Sequence, residues 1–174
     1  LCPGHVAAVT GSDAFSFLPK DYGLPAVVAG FDAADLLYSV AELMRMLADG
    51  RPGLKNEYVR VVRPEGNPAA LSLTDRVFSP CDAFWRGLGC VSKGGFAIRE
   101  EFALWDSARK FGFSFSEGAE PPGCCCAQVI RGVVPPTDCP LFGKACTPQD
   151  PIGPCMVSSE GACAAAYRYR QIPL

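Results

Sequence analysis

The chain has 174 residues, 49% of them apolar, with 16 basic and 18 acidic residues and a net charge of −2. That is enough apolar material to bury a core without obligatory staples. The basic residues are scattered with no Lys/Arg-rich run, which argues against a nucleic-acid partner, and no apolar run reaches bilayer-spanning length.

The first 112 or so residues read as α/β. Cys2-Pro3-Gly4-His5 is ordinary strand-to-loop turn chemistry, with a Cys2–His5 nucleophile and base as the sharper alternative. Ser12 or Asp13 can cap a short helix through Phe17 and Leu18, stopped at Gly23. Leu24–Gly30 is a short apolar run with paired valines and fits a buried strand. A helix is predicted from Ala33 to Asp49, with Leu36, Val40, Leu43, Met44 and Leu47 on one face and Gly50 and Pro52 ending it. Strand followed by helix is half of a βαβ unit.

Tyr58–Val62 alternates like a strand. Arg63–Pro68 reads as a turn, and Pro68 can open a helix running to Val77. Glu65 and Asn67 in that turn serve either the turn itself or a partner. Phe84–Val91 is a glycine-broken strand, with Cys81 and Cys90 as small buried hydrophobes. Arg99–Phe111 reads as one helix with Phe102, Leu104, Trp105, Ala108 and Phe111 as core residues. The polar, Gly/Pro-rich stretch 114–123 is a linker.

Seven of the ten cysteines then fall between Cys124 and Cys163, in an irregular, proline-rich segment with little core of its own. Such a segment calls for a cross-link or a metal centre. Disulfide frameworks usually spread their cysteines over the region they staple. Zinc sites usually show C-x₂₋₄-C pairs, and none occurs here. Setting Cys125 aside, the intervals are C-x-C (Cys124, Cys126), then x₁₂ to Cys139, x₆ to Cys146, x₈ to Cys155 and x₇ to Cys163. A cubane iron–sulfur cluster takes four thiolates and leaves two of these six over. If the C-x-C is extended, its two thiols share a face, so one can ligate while the other stands beside the cluster as half of a redox dithiol. Spacing alone does not say which four ligate, and disulfides, zinc and a cluster all stay open on it. Ser158, Ser159 and Glu160 are placed to cap a helix near the last cysteine. No basic-then-apolar leader opens the chain, so a reducing cytoplasm is expected. A start at Leu1 rather than Met suggests a processed or truncated piece.

The run Arg131–Tyr167 (RGVVPPTDCPLFGKACTPQDPIGPCMVSSEGACAAAY) resembles the C-terminal signature of the HypD family of nickel–iron hydrogenase maturation factors. PGHVAAVTG (Pro3–Gly11), VVAGFDAADLL (Val27–Leu37) and RPEGNP (Arg63–Pro68) are similar to HypD segments in the same order. The resemblance implies a partial Rossmann-like parallel-sheet α/β domain over residues 1–113, a linker at 114–123, and a small irregular, helical iron–sulfur domain over 124–174. It implies a [4Fe-4S] cluster on Cys124, Cys139, Cys146 and Cys163, with Cys126 and Cys155 as the redox dithiol beside it. It also implies a role as scaffold and electron supplier in assembling an iron centre with cyanide and carbonyl ligands, alongside a HypC-type chaperone and a HypE-type cyanide donor. Such a protein is a redox-active scaffold rather than a turnover enzyme.

The chain departs from the family at several points. Family members extend further at the N-terminus and carry there a Cys-Gly-x-His-x-His motif and another cysteine pair, neither found here. Cys125 is an additional thiol, and Ala127 stands where the family usually has Gly, which leaves the choice among Cys124, Cys125 and Cys126 open. Two rival functions use the same thiols: a stand-alone disulfide reductase of ferredoxin–thioredoxin type, and a structural zinc module.

Overall fold

The computed structural model describes residues 1–85, 88–113 and 121–169. It divides into two compact units, Leu1–Phe78 and Ser79–Leu174. Most of the linker predicted at 114–123 lies outside the described residues.

The first unit is built on a three-stranded parallel sheet in the order β1-β2-β3. Strand β1 (Cys2–Pro3) leads directly into helix α1 (Gly4–Thr10), so the predicted turn at Pro3-Gly4-His5 is a strand-to-helix junction instead. A 3₁₀ turn (Ser12–Phe15) and α2 (Phe17–Tyr22) follow, and Gly23 closes α2 in the left-handed conformation. Strand β2 (Ala26–Ala29) is buried at all four positions, as its continuous apolar run requires. It pairs with β1 through Cys2–Val28 and with β3 (Leu54–Asn56) through Val27–Lys55. Cys2, Ala7, Ala26, Val28 and Val62 form the core, with Phe15, Leu18, Leu54 and Tyr58 packed around them.

Helix α3 (Ala33–Ala48) has the predicted length but not the predicted orientation. Its buried residues are Asp35 and Ser39. The apolar stripe faces solvent, with Met44 63% and Leu47 61% exposed. Two contacts account for this. Ser39 is small and wholly buried, which lets the helix lie close to the sheet, and Asp35 reaches Arg60. Arg60 donates to Asp35 at 2.7 and 2.5 Å and to Asp32 at 2.8 Å, and its guanidinium lies 4.7 Å from the Tyr58 ring centroid.

Tyr58–Val62 is a turn, and the strand sits just before it at Leu54–Asn56. Asn56 makes the bend: its side chain accepts from Tyr58 N–H at 2.9 Å and donates to the Val62 carbonyl at 2.8 Å. An amide side chain that bonds its own neighbouring backbone offers an alternative to the sheet ladder. Helix α4 (Pro68–Val77) begins as predicted, with the Asn67 side chain accepting from Ala70 N–H at 3.1 Å. The turn before it is zipped onto the end of α1: Asn67 N–H donates to the Val9 carbonyl and Asp13 N–H to the Pro64 carbonyl. Gly11 and Gly66 meet there with positive φ, and a Cβ on either would drive into backbone.

Strand β4 (Phe78–Trp85), all but its first residue in the second unit, pairs with β5 (Gly89–Ile98) as a two-stranded sheet, so the single strand predicted at Phe84–Val91 instead straddles the end of β4 and the start of β5. Cys81 is half-buried there and Cys90 is exposed, so neither is a core residue. The predicted helix Arg99–Phe111 is broken into a 3₁₀ segment (Glu100–Trp105) and α5 (Ser107–Phe111). Asp106 causes the break by accepting from the N–H groups of Ala108 and Arg109, which starts a new helix. Leu104, Trp105 and Phe111 are exposed rather than buried. Short helices α6 (Cys126–Ile130), α7 (Pro154–Val157) and α8 (Ala162–Tyr169), with a 3₁₀ turn at Pro136–Asp138, carry the cysteine-rich segment. No helix among the described residues is long and apolar enough to cross a membrane.

Candidate thiolate centre

The core of the cysteine-rich segment is made largely of sulfur. Cys126, Cys146, Cys155 and Cys163 are buried together with Val129, Met156 and Ala164, and Cys124 packs against them. Each thiol is placed by a tight local device. Cys124 follows a proline-glycine turn closed by its own N–H to the Pro121 carbonyl. Cys126 opens α6, Cys155 is the second residue of α7 after Pro154, and Cys163 lies in the first turn of α8. Buried Cys139 follows the 3₁₀ turn, and Cys146 closes a loop through its N–H to the Leu141 carbonyl. Tyr167 packs edge-on to Phe142 at 6.0 Å and covers that loop.

The C-x-C is not extended, because Cys125 has φ −100° and ψ 20° and Cys126 is already in α6. Cys124 and Cys126 are nevertheless neighbours, since the Cys126 N–H bonds the Cys124 sulfur. Cys155 sits at the middle of the group. Its thiol donates to Cys163 Sγ at 3.0 Å and also interacts with Cys126. The extra thiol, Cys125, is half-buried and interacts with Cys139.

Burial raises the thiols of Cys124 and Cys163, and it pushes Cys155 up to about 11. Cys139 goes the other way. Burial acts to raise it, but N–H groups of Cys125, Leu141 and Phe142 and the Cys125 thiol outweigh this and hold it below the ordinary thiol range. Cys146 receives a backbone bond too, from Ile152 N–H at 3.4 Å. Backbone donors aimed at sulfur stabilise thiolates and tune sulfur-bound metals. Among the described residues no three Cys, His, Asp or Glu side chains stand as ligands around a single ion.

Two residues that sequence reasoning passed over prove structural. Gly153 lies against Cys124, Cys126 and Cys155, and Gly161 against the backbone of Cys155. Their signal was present in GPC and EGAC, a glycine within two residues of each cysteine. In the first unit, Cys2 is a core residue whose thiol burial raises, the reverse of an activated nucleophile, and His5 stacks on Phe31 at 5.4 Å. Asn67 is a helix cap, and Glu65 is exposed.

The fold and this core thus define a parallel-sheet α/β protein with a many-thiol site on short helices. The HypD family model, described as the hydrogenase formation hypA family, matches residues 1–170. The chain belongs to the HypD family. It is 46% identical over 168 residues to the hydrogenase maturation factor HypD of Azotobacter vinelandii, covering 96% of this chain and 44% of that protein. It is equally similar to the hydrogenase expression/formation protein HupD of Azotobacter chroococcum mcd 1, with the same coverage. Against HypD of Cupriavidus necator it is 41% identical, covering 99% of this chain and 46% of the other. The chain therefore spans just under half the length of these curated relatives.

Proposed function

We propose that this chain is the electron-handling part of a hydrogenase maturation scaffold. In this proposal Cys124, Cys139, Cys146 and Cys163 hold a [4Fe-4S] cluster, and Cys126 with Cys155 forms the redox dithiol. The observation that carries the proposal is the gathering of the thiols in one buried core around Cys155. The donor set suits the group. A four-iron cluster would take four thiolates, the number that is left when Cys126 and Cys155 are set aside from the six. When bound, it supplies electrons one at a time next to the dithiol.

The chain's own residues provide the rest. Val129, Met156 and the half-buried Leu141 keep water from the sulfurs, and N–H groups at Cys139 favour its thiolate form. Cys126 and Cys155 together yield two electrons and two protons when they close a disulfide. The partners in this proposal are a HypC-type chaperone and a HypE-type cyanide donor, which deliver the iron centre and its cyanide ligands in the cytoplasm.

Anaerobic reconstitution with iron and sulfide, followed by metal analysis and Mössbauer spectroscopy, tests the assignment. Four irons per chain are expected, lost on Cys139→Ser or Cys146→Ser. Stoichiometric zinc with no iron uptake would overturn it in favour of a structural module.

A further inference from the structure

One contact in the sulfur core joins the two roles just assigned. Cys163 is a proposed ligand and Cys155 half of the proposed dithiol, yet their sulfurs are 3.0 Å apart and both are buried. The chain between them is folded to make this contact. Ser158 Oγ accepts from Glu160 N–H at 3.2 Å, and the Ser158 carbonyl accepts from Gly161 N–H at 2.9 Å. Gly161 then passes so close to Cys155 that any Cβ would collide with the Cys155 carbonyl. On the other side Cys155 interacts with Cys126, with Gly153 leaving the room. A single sulfur therefore has two thiol partners. A cavity of about 470 Å³ also reaches Met156 and Ala164, the residues directly after Cys155 and Cys163.

We propose that Cys155 is an exchange thiol. In the metal-free chain it closes a Cys155–Cys163 disulfide that withholds Cys163 from the metal site, and it moves to Cys126 when Cys163 is released. This rests on the ligand and dithiol assignment above. The oxidant is a peroxide. One thiolate attacks a peroxide oxygen to give a sulfenic acid and hydroxide. The second thiol displaces the sulfenic oxygen as water, so two thiols and one peroxide become one disulfide and two waters. In the exchange step the Cys126 thiolate attacks the Cys155 sulfur. The Cys155–Cys163 bond breaks, a Cys126–Cys155 bond forms, and Cys163 leaves as a thiolate, with no net oxidation. That thiolate is the form that binds metal. The fourth ligand thus becomes available in the same event that closes the redox pair.

The test uses the reduced, metal-free full chain, treated without oxygen with one equivalent of hydrogen peroxide, then alkylated. Digestion with trypsin and a glutamate-specific protease cuts at Glu117, Arg131, Lys144, Glu160 and Arg168. Cys155 then lies in peptide 145–160, Cys163 in 161–168 and Cys126 in 118–131. The expected product joins 145–160 to 161–168, with fragmentation placing the bond on Cys155 rather than Cys146. In Cys163→Ser the link shifts to 118–131. The oxidised Cys126→Ser chain, which cannot make the exchange, takes up no iron until a thiol reductant is added, whereas in the oxidised wild type iron uptake moves the link to 118–131. In the metal-free wild type, a link between 145–160 and 118–131 with Cys163 alkylated overturns the proposal, as does iron uptake without reductant by the oxidised Cys126→Ser chain. Failure of the ligand assignment is read separately, as a reduced chain that binds no iron, and the disulfide map still decides the exchange.

Discussion

A Cβ added to Gly153 would stand 2.7 Å from the Cys124 sulfur and 3.8 Å from that of Cys155. The backbone of Gly153 is in an ordinary extended conformation, so its role is space rather than a special dihedral angle. Gly153→Ala is expected to displace Cys124 and weaken iron binding by about tenfold or more, in the range seen when a ligand's support is removed. Iron per chain against free iron after anaerobic reconstitution measures this. Unchanged iron content would mean that Cys124 is not a ligand.

The choice among the three consecutive cysteines is separable in the same assay. Cys124 packs on the sulfur core, whereas Cys125 turns to Cys139. Cys125→Ser is expected to bind iron like the wild type, and Cys124→Ser to lose the iron. The reverse pattern would move the ligand to Cys125.

Asp35 and Arg60 give the first unit a pH-dependent component of stability. Hydrogen bonds from Arg60 hold the Asp35 carboxyl below the usual carboxylate range. The unfolded carboxyl titrates near about 3.9. Between the two values the unfolded chain binds the proton and the folded chain does not. The contribution is therefore complete above the unfolded value and is lost as pH falls through the folded one. Urea midpoints of the wild type should drop below about pH 4 more steeply than those of Asp35→Asn. Parallel curves would remove the pair from the account.

Asn67→Ala removes the side-chain bond to Ala70 N–H and leaves the start of α4 uncapped. The expected loss is about 1 kcal/mol, read as a lower urea midpoint at unchanged slope.

At Gly11 the chain needs both positive φ and the space of the absent Cβ, because the Pro64 carbonyl lies against it. Gly11→Ala should cost about 2–3 kcal/mol and loosen the Arg63–Asn67 turn. Faster amide exchange at Ser12 and Asp13, whose N–H groups bond Arg63 and Pro64, would report the loosening.

What the sequence determined by itself was whatever few-residue chemistry sets. The valine pair in β2, the Gly23 stop, the Pro68 start of α4 and the length of α3 were all legible, because stops, helix-opening prolines and apolar runs act on their own neighbours. The gathering of thiols was legible too, since seven of them lie in one short segment. The tertiary structure decided which of several locally adequate options was taken. Asn56 turned a β-like Tyr58–Val62 into a bend, and Asp106 cut one apparent helix in two, each by side-chain bonds to backbone that periodicity does not register. Helix α3 shows the same limit in packing. Its apolar stripe marks a face, but the seat on the sheet went to Ser39 and Asp35, through close approach and a guanidinium 25 residues away in sequence. The contact of Cys155 with Cys163 belongs to this second kind. Spacing places both thiols near the site, but only the α7–α8 corner, closed through Gly161, brings one sulfur within 3.0 Å of the other.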